Sequence, residues 1–299
     1  MSIYYLNNGK KGWEEDRLDW NHHKMIMPLV GNTILPQEIE EDLQSKSSPI
    51  IADVCTGTGV WAVSVAEQLP QAQIRGFDID TSKFATNLPP NVQLQRGDVF
   101  EPFPSELLGK FDLVHARFLV SLLRKEDWVP VARNFMTLLR PGGWILWEDS
   151  GPFEFRVLPI TPGWSKYAAL NWTFCNAQGM DIKYDPYFPY ARTMVGKTNS
   201  LARMPATLKA HLDDAGFVDL MEKDYHTSPD EKLDIGTKES MLRLAYQTFL
   251  GMVASGKVED MKTEAQAEKA VNEIRKEFEQ GTLCFWTLNR VWGKKPVQS

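Results

Sequence analysis

The chain has 299 residues, 43% apolar and 24% charged, with a net charge of −6. That makeup is globular and long enough for one large domain or one domain with a sizeable insertion, and its acidity argues against nucleic acid as a partner. No apolar run reaches membrane-span length and the N-terminus lacks a signal-peptide layout, so a cytoplasmic protein with no membrane partner is expected.

Residues 1–24 are polar and aromatic and read as a solvated helix with one apolar edge. Residues 25–48 turn helical and then loop-like, with Pro36 ahead of an acidic helix over 37–43 and a linker-like break at 45–49. A strand–helix alternation then begins. Strands are expected at about 50–55, 73–78, 92–96 and 111–116, with a helix at 60–69. A further helix over about 127–139 has Asp127 as its N-cap and Pro141-Gly142-Gly143 as its stop, followed by a strand at 144–148. Such alternation argues a doubly wound, mostly parallel sheet.

After that strand the alternation ceases. Residues 150–200 are rich in aromatics, Pro and Gly, as in a lid or an inserted helical piece. A helix near 203–214, a strand at 218–226, helices at about 236–255 and 262–279, and a last strand at 282–292 close the chain. The expected division is an N-terminal helical segment, 1–48, covering a ligand site, and a main domain, 49–299. The main domain carries lid insertions at about 150–202 and 230–280.

The chemistry concentrates at Asp53-Val54-Cys55-Thr56-Gly57-Thr58-Gly59. A strand ends in an acid, a glycine turn follows, and nineteen residues past Gly59 a second strand ends in Asp78. This is how an open α/β sheet builds a nucleoside pocket. The dinucleotide pattern G-x-G-x-x-A also fits Gly57 to Ala62, so NAD stands as the rival to S-adenosylmethionine (SAM). Three features favour SAM. Asp53 would repel a pyrophosphate and welcome an aminoacyl ammonium. Gln95-Arg96-Gly97-Asp98-Val99 supplies a third nucleoside edge. No Tyr is followed four residues later by Lys, as a short-chain dehydrogenase pair requires. Cys55, Cys175 and Cys284 are widely separated, which suits a reducing compartment. Nothing has metal-ligand spacing, so no metal is expected.

These residues resemble the class I SAM-dependent methyltransferases, and within them the fungal branch related to the secondary-metabolism regulator LaeA. The resemblance is carried by Tyr5-Leu6-Asn7-Asn8, by Glu15 to His23, by the Asp53–Ala62 loop, and by Phe77-Asp78-Ile79 and Gly97-Asp98-Val99. It continues in His115-Ala116-Arg117 and Leu139 to Trp144. It covers residues 4–150 well and rests beyond that on Ala215-Gly216-Phe217 and the closing strand. It implies a seven-stranded, Rossmann-like sheet and SAM as cofactor. One departure stands out: the family's loop opens with Gly where this chain has Cys55, which narrows the space near the methionine end.

On this reading Asp53, Cys55, Thr56, Gly57 and Gly59 form the cofactor loop. Asp78 takes the ribose hydroxyls with Ile79 beside it, Asp98 and Val99 take adenine, and Ala116 contributes backbone. The resemblance places Tyr5 and Arg17 over the cofactor, although an Arg on a polar helix is as readily solvent-facing. His22 and His115 are the candidate bases, each with a structural or surface role as the alternative. His23, Trp147, Trp164, Trp172 and Tyr187 are the candidate acceptor contacts, because small-molecule pockets are mostly apolar and aromatic. The expected function is methyl transfer from SAM to a hydrophobic or aromatic small molecule, a secondary metabolite by resemblance. A LaeA-type regulator and a methyltransferase-fold protein catalysing a non-methylating reaction are the alternatives. The expected assembly is a monomer or homodimer.

Overall fold

The computed structural model describes residues 12–149, 156–179, 208–227 and 231–297. The chain opens with α1 (Trp13–Trp20), a π-helical turn (Asn21–Ile26), α2 (Met27–Leu29) and α3 (Gln37–Gln44). There follow β1 (Ile50–Val54), α4 (Val60–Gln68), β2 (Gln73–Asp78), β3 (Val92–Arg96), β4 (Phe111–Arg117), α5 (Trp128–Leu138) and β5 (Leu139–Asp149). The remainder is β6 (Arg156–Leu158), α6 (Pro162–Ala177), α7 (Leu208–Ala215), β7 (Val218–His226), α8 (Glu231–Ser255), α9 (Glu264–Glu279), β8 (Leu283–Phe285) and β9 (Thr287–Lys294).

Seven strands form one sheet in the order β3-β2-β1-β4-β5-β9-β7. The pairs among β1 to β5 are parallel, and β9 runs antiparallel between β5 and β7. This is the doubly wound, Rossmann-like sheet expected from the alternation. Strand periodicity assigns each face its cover. Ile51, Leu113, Leu146 and Trp292 face one layer, where Ile39 and Leu43 of α3 and Trp61, Ala62 and Val65 of α4 bury them. Ala52, Val114, Ala116, Ile145 and Trp147 face the other, against Trp128, Val131 and Phe135 of α5.

Several local readings need correction. The helix before Pro141 ends at Leu138, and the backbone is already extended at Leu139. The Pro-Gly-Gly run lies inside β5 as an irregularity: Leu139 pairs with Phe111, and regular pairing resumes at Trp144 with Leu113. Lys295 Nζ holds the freed carbonyls of Met136 and Leu139 at 3.0 and 2.7 Å. Asp127 is the N-cap residue of α5, but its side chain makes no capping bond; it accepts from Arg124 N instead. The single closing strand expected over 282–292 is two. Trp286 breaks it by accepting from Thr227 N and donating its own N–H to Thr227 Oγ1, so β8 joins β6 while β9 joins the main sheet.

The first helix is not a solvated helix with an apolar edge. The side chains that α1 buries are Glu14 and Arg17. The segment after β5 contributes α6, and the segment between β7 and β9 contributes α8 and α9. Helix α9 is opened by a capping box in which Thr263 and Gln266 satisfy each other's backbone N–H groups. Cysteines 55, 175 and 284 are free thiols.

Candidate cofactor site and the polar row beneath it

The turn after β1 is shaped by two strand-end acids. Asp53 Oδ2 accepts from Thr56 Oγ1 at 2.5 Å, and Asp78 Oδ2 accepts from Gly57 N at 2.9 Å. Gly57 and Gly59 adopt φ +60° and +88°, and a Cβ on either would lie 2.9 Å from Leu18 or 2.8 Å from Leu94. The turn therefore needs glycine for its conformation and for its close cover alike. Gly59 then starts α4. Cys55 holds φ +58° without being glycine. Burial first, then the carboxylates of Asp78, Asp53 and Asp98, push its thiol well above the ordinary value. Three acids thus surround one sulfur. Burial also raises the Asp78 carboxyl above its ordinary value, opposed by the Asp80 and Gly57 N–H groups.

Asp98 accepts from Phe100 N at 3.0 Å, and Val99 behind it is buried. Beside the two acids stand two exposed apolar side chains, Ile79 at 45% and Phe100 at 42%.

Below the turn, the face covered by α4 carries charge. Alternation puts Asp53, His115, Arg117, Glu148 and Arg290 on the face of Ile51, Leu113 and Leu146, one step nearer the carboxyl ends of the strands. Asp53 pairs in register with His115, and Glu148 with both Arg117 and Arg290. The side chains follow the register. His115 Nδ1 meets Asp53 Oδ1 at 2.7 Å and Nε2 meets Glu148 Oε2 at 3.3 Å, with the ring stacked on Trp61. Arg290 bonds Glu148 and donates to the carbonyls of Thr33 and Ile34 at 3.1 and 2.7 Å. Burial would raise the Glu148 carboxyl, but Arg290, His115 and Arg117 hold it well below the usual range.

The N-terminal elements close over this row. Thr58 Oγ1 donates to Asp19 at 2.6 Å, Leu18 lies over Gly57, and His22 Nε2 meets Ser64 Oγ at 2.9 Å. Arg117 Nη1 and Nη2 reach His22 Nδ1 at 3.3 and 3.4 Å, so the ring proton sits on Nε2. Burial, then Arg117 and His23, lower the His22 pKa to about 2. The segment is tied to α8 as well: Ser240 Oγ donates to Asn21, and Trp13 packs on Tyr246.

The structure sorts the expected residues. The glycine turn, Thr56, Asp78, Ile79, Asp98, Val99 and the Ala116 backbone gather at the carboxyl ends of β1 to β4. Asp53 lies beneath them, engaged by His115 and Thr56. Arg17 is buried in a two-point bond to Glu14, and does not face solvent. His115 and His22 are fully enclosed, and the ring nitrogens of each are engaged, those of His115 by Asp53 and Glu148 and those of His22 by Ser64 and Arg117. Trp147, expected on the acceptor wall, is instead core. It sits on the α5 face between Trp128 and Phe135, because alternation turns it away from Glu148. Trp164 is buried against Tyr167, Trp172 is half-buried on α6, and His23 is exposed. Tyr5 and Tyr187 lie outside the described residues. Sequence reading missed the partners Glu148, Arg290, Asp19 and Ser64. Glu148 did leave a signal, a charge set directly after the apolar run of residues 144–147. Among the described residues no group of three His, Cys, Asp or Glu could hold a metal ion.

Comparison with known proteins agrees with this geometry. Residues 51–143 match the family model described as a methyltransferase domain. A methyltransferase grgD of Penicillium is 38% identical over 156 residues, covering 50% of this chain and 52% of that protein. An N-methyltransferase tcpN of Claviceps purpurea is 33% identical over 139 residues, covering 44% and 47%. The secondary metabolism regulator LAE1 of Hypocrea atroviridis is 36% identical over 170 residues, covering 54% and 44%. The chain spans about half the length of the curated relatives it matches. Residues 51–143 are similar to a methyltransferase domain, and the sheet that contains them has the doubly wound, Rossmann-like topology.

Proposed function

We propose that the chain built around this methyltransferase domain transfers a methyl group from SAM to a hydrophobic or aromatic small molecule of secondary metabolism. One observation carries the reading. The glycine turn is held by two carboxylates, with a third beside Cys55, which is the electrostatics for a cationic ligand and against a pyrophosphate. The residues fit SAM on this ground. In this proposal Asp78 takes the ribose hydroxyls, and Asp98 and the Val99 backbone take adenine. The glycines allow close approach, and Asp53 sets the turn through Thr56.

When bound, SAM supplies an activated methyl group. The protein's part is to align the acceptor and exclude water, and alignment alone is a large share of such catalysis. The N-terminal segment and the helices α6, α8 and α9 serve as cover and lid in this proposal.

The likeness to LAE1 supports a second reading, a regulator of secondary metabolism acting through partners. Calorimetry with SAM on the wild type and on Asp78→Asn tests the cofactor site. Formation of S-adenosylhomocysteine with an added metabolite separates an enzyme from a regulator. Conversion of a metabolite with SAM left intact would identify a non-methylating reaction. Absence of SAM binding to the wild type would sink the methyltransferase reading.

A further inference from the structure

Arg117 is the last residue of β4. Its neighbour Ala116 pairs with Val54, so Arg117 lies alongside Cys55 at the mouth of the cleft. Its side chain is 13% exposed. The arrangement around it is unusual for an arginine this enclosed. Glu148 approaches only to 3.8 Å, and that carboxylate is already engaged by Arg290 and His115. The nearby Asp53 is engaged by His115 and Thr56. The hydrogen bonds Arg117 makes go to one lone pair on His22, which two of its nitrogens share. A guanidinium has five N–H donors in a fork shaped for carboxylate. Among the described residues most of that fork has no hydrogen-bond acceptor, the Phe118 ring lies 5.5 Å from its carbon, and burial lowers the pKa of the group.

The backbone beside Arg117 is held at a cost. Phe118 adopts φ +60°, a left-handed conformation that is unfavourable for an aromatic residue. It is fixed by its own N–H on Glu148 O and by Asp149 Oδ2, which accepts from Leu119 N and Val120 N at 2.9 and 3.2 Å. Strain of this kind concentrates where a side chain has to be aimed.

We propose that Arg117 is a carboxylate-binding residue of the cleft, positioned by the neutral His22. This rests on the reading of the domain as a SAM site. The carboxylate has two possible sources, the aminoacyl end of the cofactor or an acidic group on the acceptor. His22 orients the guanidinium without neutralising it, which a carboxylate in its place would do.

The test uses the full chain as wild type, Arg117→Met and Arg117→Lys, with thermal melts as the folding control. Three probes are titrated: S-adenosylhomocysteine, 5′-methylthioadenosine, which lacks the aminoacyl end, and benzoate added to chain saturated with S-adenosylhomocysteine. If the cofactor supplies the carboxylate, Arg117→Met weakens S-adenosylhomocysteine by about ten- to a hundredfold. Methylthioadenosine then stays within about twofold, and Arg117→Lys falls between. If the acceptor supplies it, both nucleosides bind unchanged and benzoate binding is lost in Arg117→Met. Nucleoside and benzoate binding all unchanged in a folded Arg117→Met overturns the proposal. A wild type that binds neither nucleoside overturns the cofactor reading instead, and benzoate titrated alone then decides Arg117 for or against. His22→Gln, which keeps an acceptor for the guanidinium, is expected to retain binding that His22→Leu loses in the same probe.

Discussion

His115 Nδ1 lies 2.7 Å from Asp53 Oδ1, between residues that face each other in register across β1 and β4. The ring also meets Glu148 at 3.3 Å and stacks on Trp61 with centroids 3.7 Å apart. One imidazole thus stands between two fully buried carboxylates and ties the floor of the cofactor turn to the centre of the sheet.

Removing that imidazole strands both acids. His115→Leu is expected to cost about 3 kcal/mol, because two buried carboxylates each lose a hydrogen-bond partner. His115→Gln, which keeps a donor, is expected to cost less than half of that. Urea unfolding of the two variants checks the order, and equal losses would mean that packing on Trp61 dominates.

The buried His22 makes stability depend on pH. Its pKa falls from 6.5 in the unfolded chain to about 2 in the folded one. Below 6.5 the unfolded state binds a proton that the folded state refuses, so acid favours unfolding. Each pH unit below that point costs about 1.4 kcal/mol from this group, and the loss continues down to the folded pKa. His22→Gln is expected to flatten the stability curve by one proton between about pH 6.5 and about pH 4. Denaturation midpoints across that window measure it, and parallel curves for the two proteins would refute it.

Cys55 pays for a conformation that suits glycine. Its φ of +58° predicts that Cys55→Gly, which restores the residue the resembling family has there, stabilises the chain by about 1 kcal/mol. The melting temperature should rise by about 2–3 °C. Loss of the thiol also opens space at the turn, so SAM should bind at least as tightly as to the wild type. Differential scanning calorimetry with and without SAM reads both effects.

Asp78 is the residue on which nucleoside binding should depend most. Asp78→Asn keeps an acceptor for Gly57 N but loses the charge, and two charge-assisted hydrogen bonds to ribose are worth about 3 kcal/mol together. The expected loss of SAM affinity is about a hundredfold. Isothermal calorimetry checks it, and a change under about threefold would place the ribose elsewhere.

Arg290 links the last strand to the N-terminal segment through Glu148 and the carbonyls of Thr33 and Ile34. Arg290→Met should destabilise the chain by about 3 kcal/mol by leaving the buried Glu148 with only His115 and the more distant Arg117. The double variant Arg290→Met with Glu148→Gln should recover part of that loss. Limited proteolysis should also cut more readily near Asn32 and Thr33 in the single variant.

The sheet and the cofactor turn were legible in the chain because both are local patterns. Apolar runs alternating with helical periodicity give the strand–helix order, and acid, glycine turn and second acid fall within one βαβ unit. Local pattern misled at Pro141-Gly142-Gly143, where Phe111 of β4 pairs with Leu139 and Lys295 exchanges backbone bonds with Gly142 and Gly143, which draws the backbone into the sheet. It misled again at Trp286, where pairing with Thr227 splits one apparent strand between two sheets. Trp147 reads as a ligand-facing aromatic, and only the helix packed against its face makes it core.

By itself the sequence determined the strand–helix succession of the cofactor half, the acids at the ends of β1 and β2, and the glycines between them, because each follows from neighbours within one supersecondary unit. Tertiary structure alone decided that His22, His115, Glu148 and Arg290 form one buried row with the partly exposed Arg117 at its edge. These five come from four separate segments of the chain, and no spacing in the sequence encodes their meeting. Register across β1, β4, β5 and β9 sets them side by side. Excluding water from that row makes each charge depend on its partner.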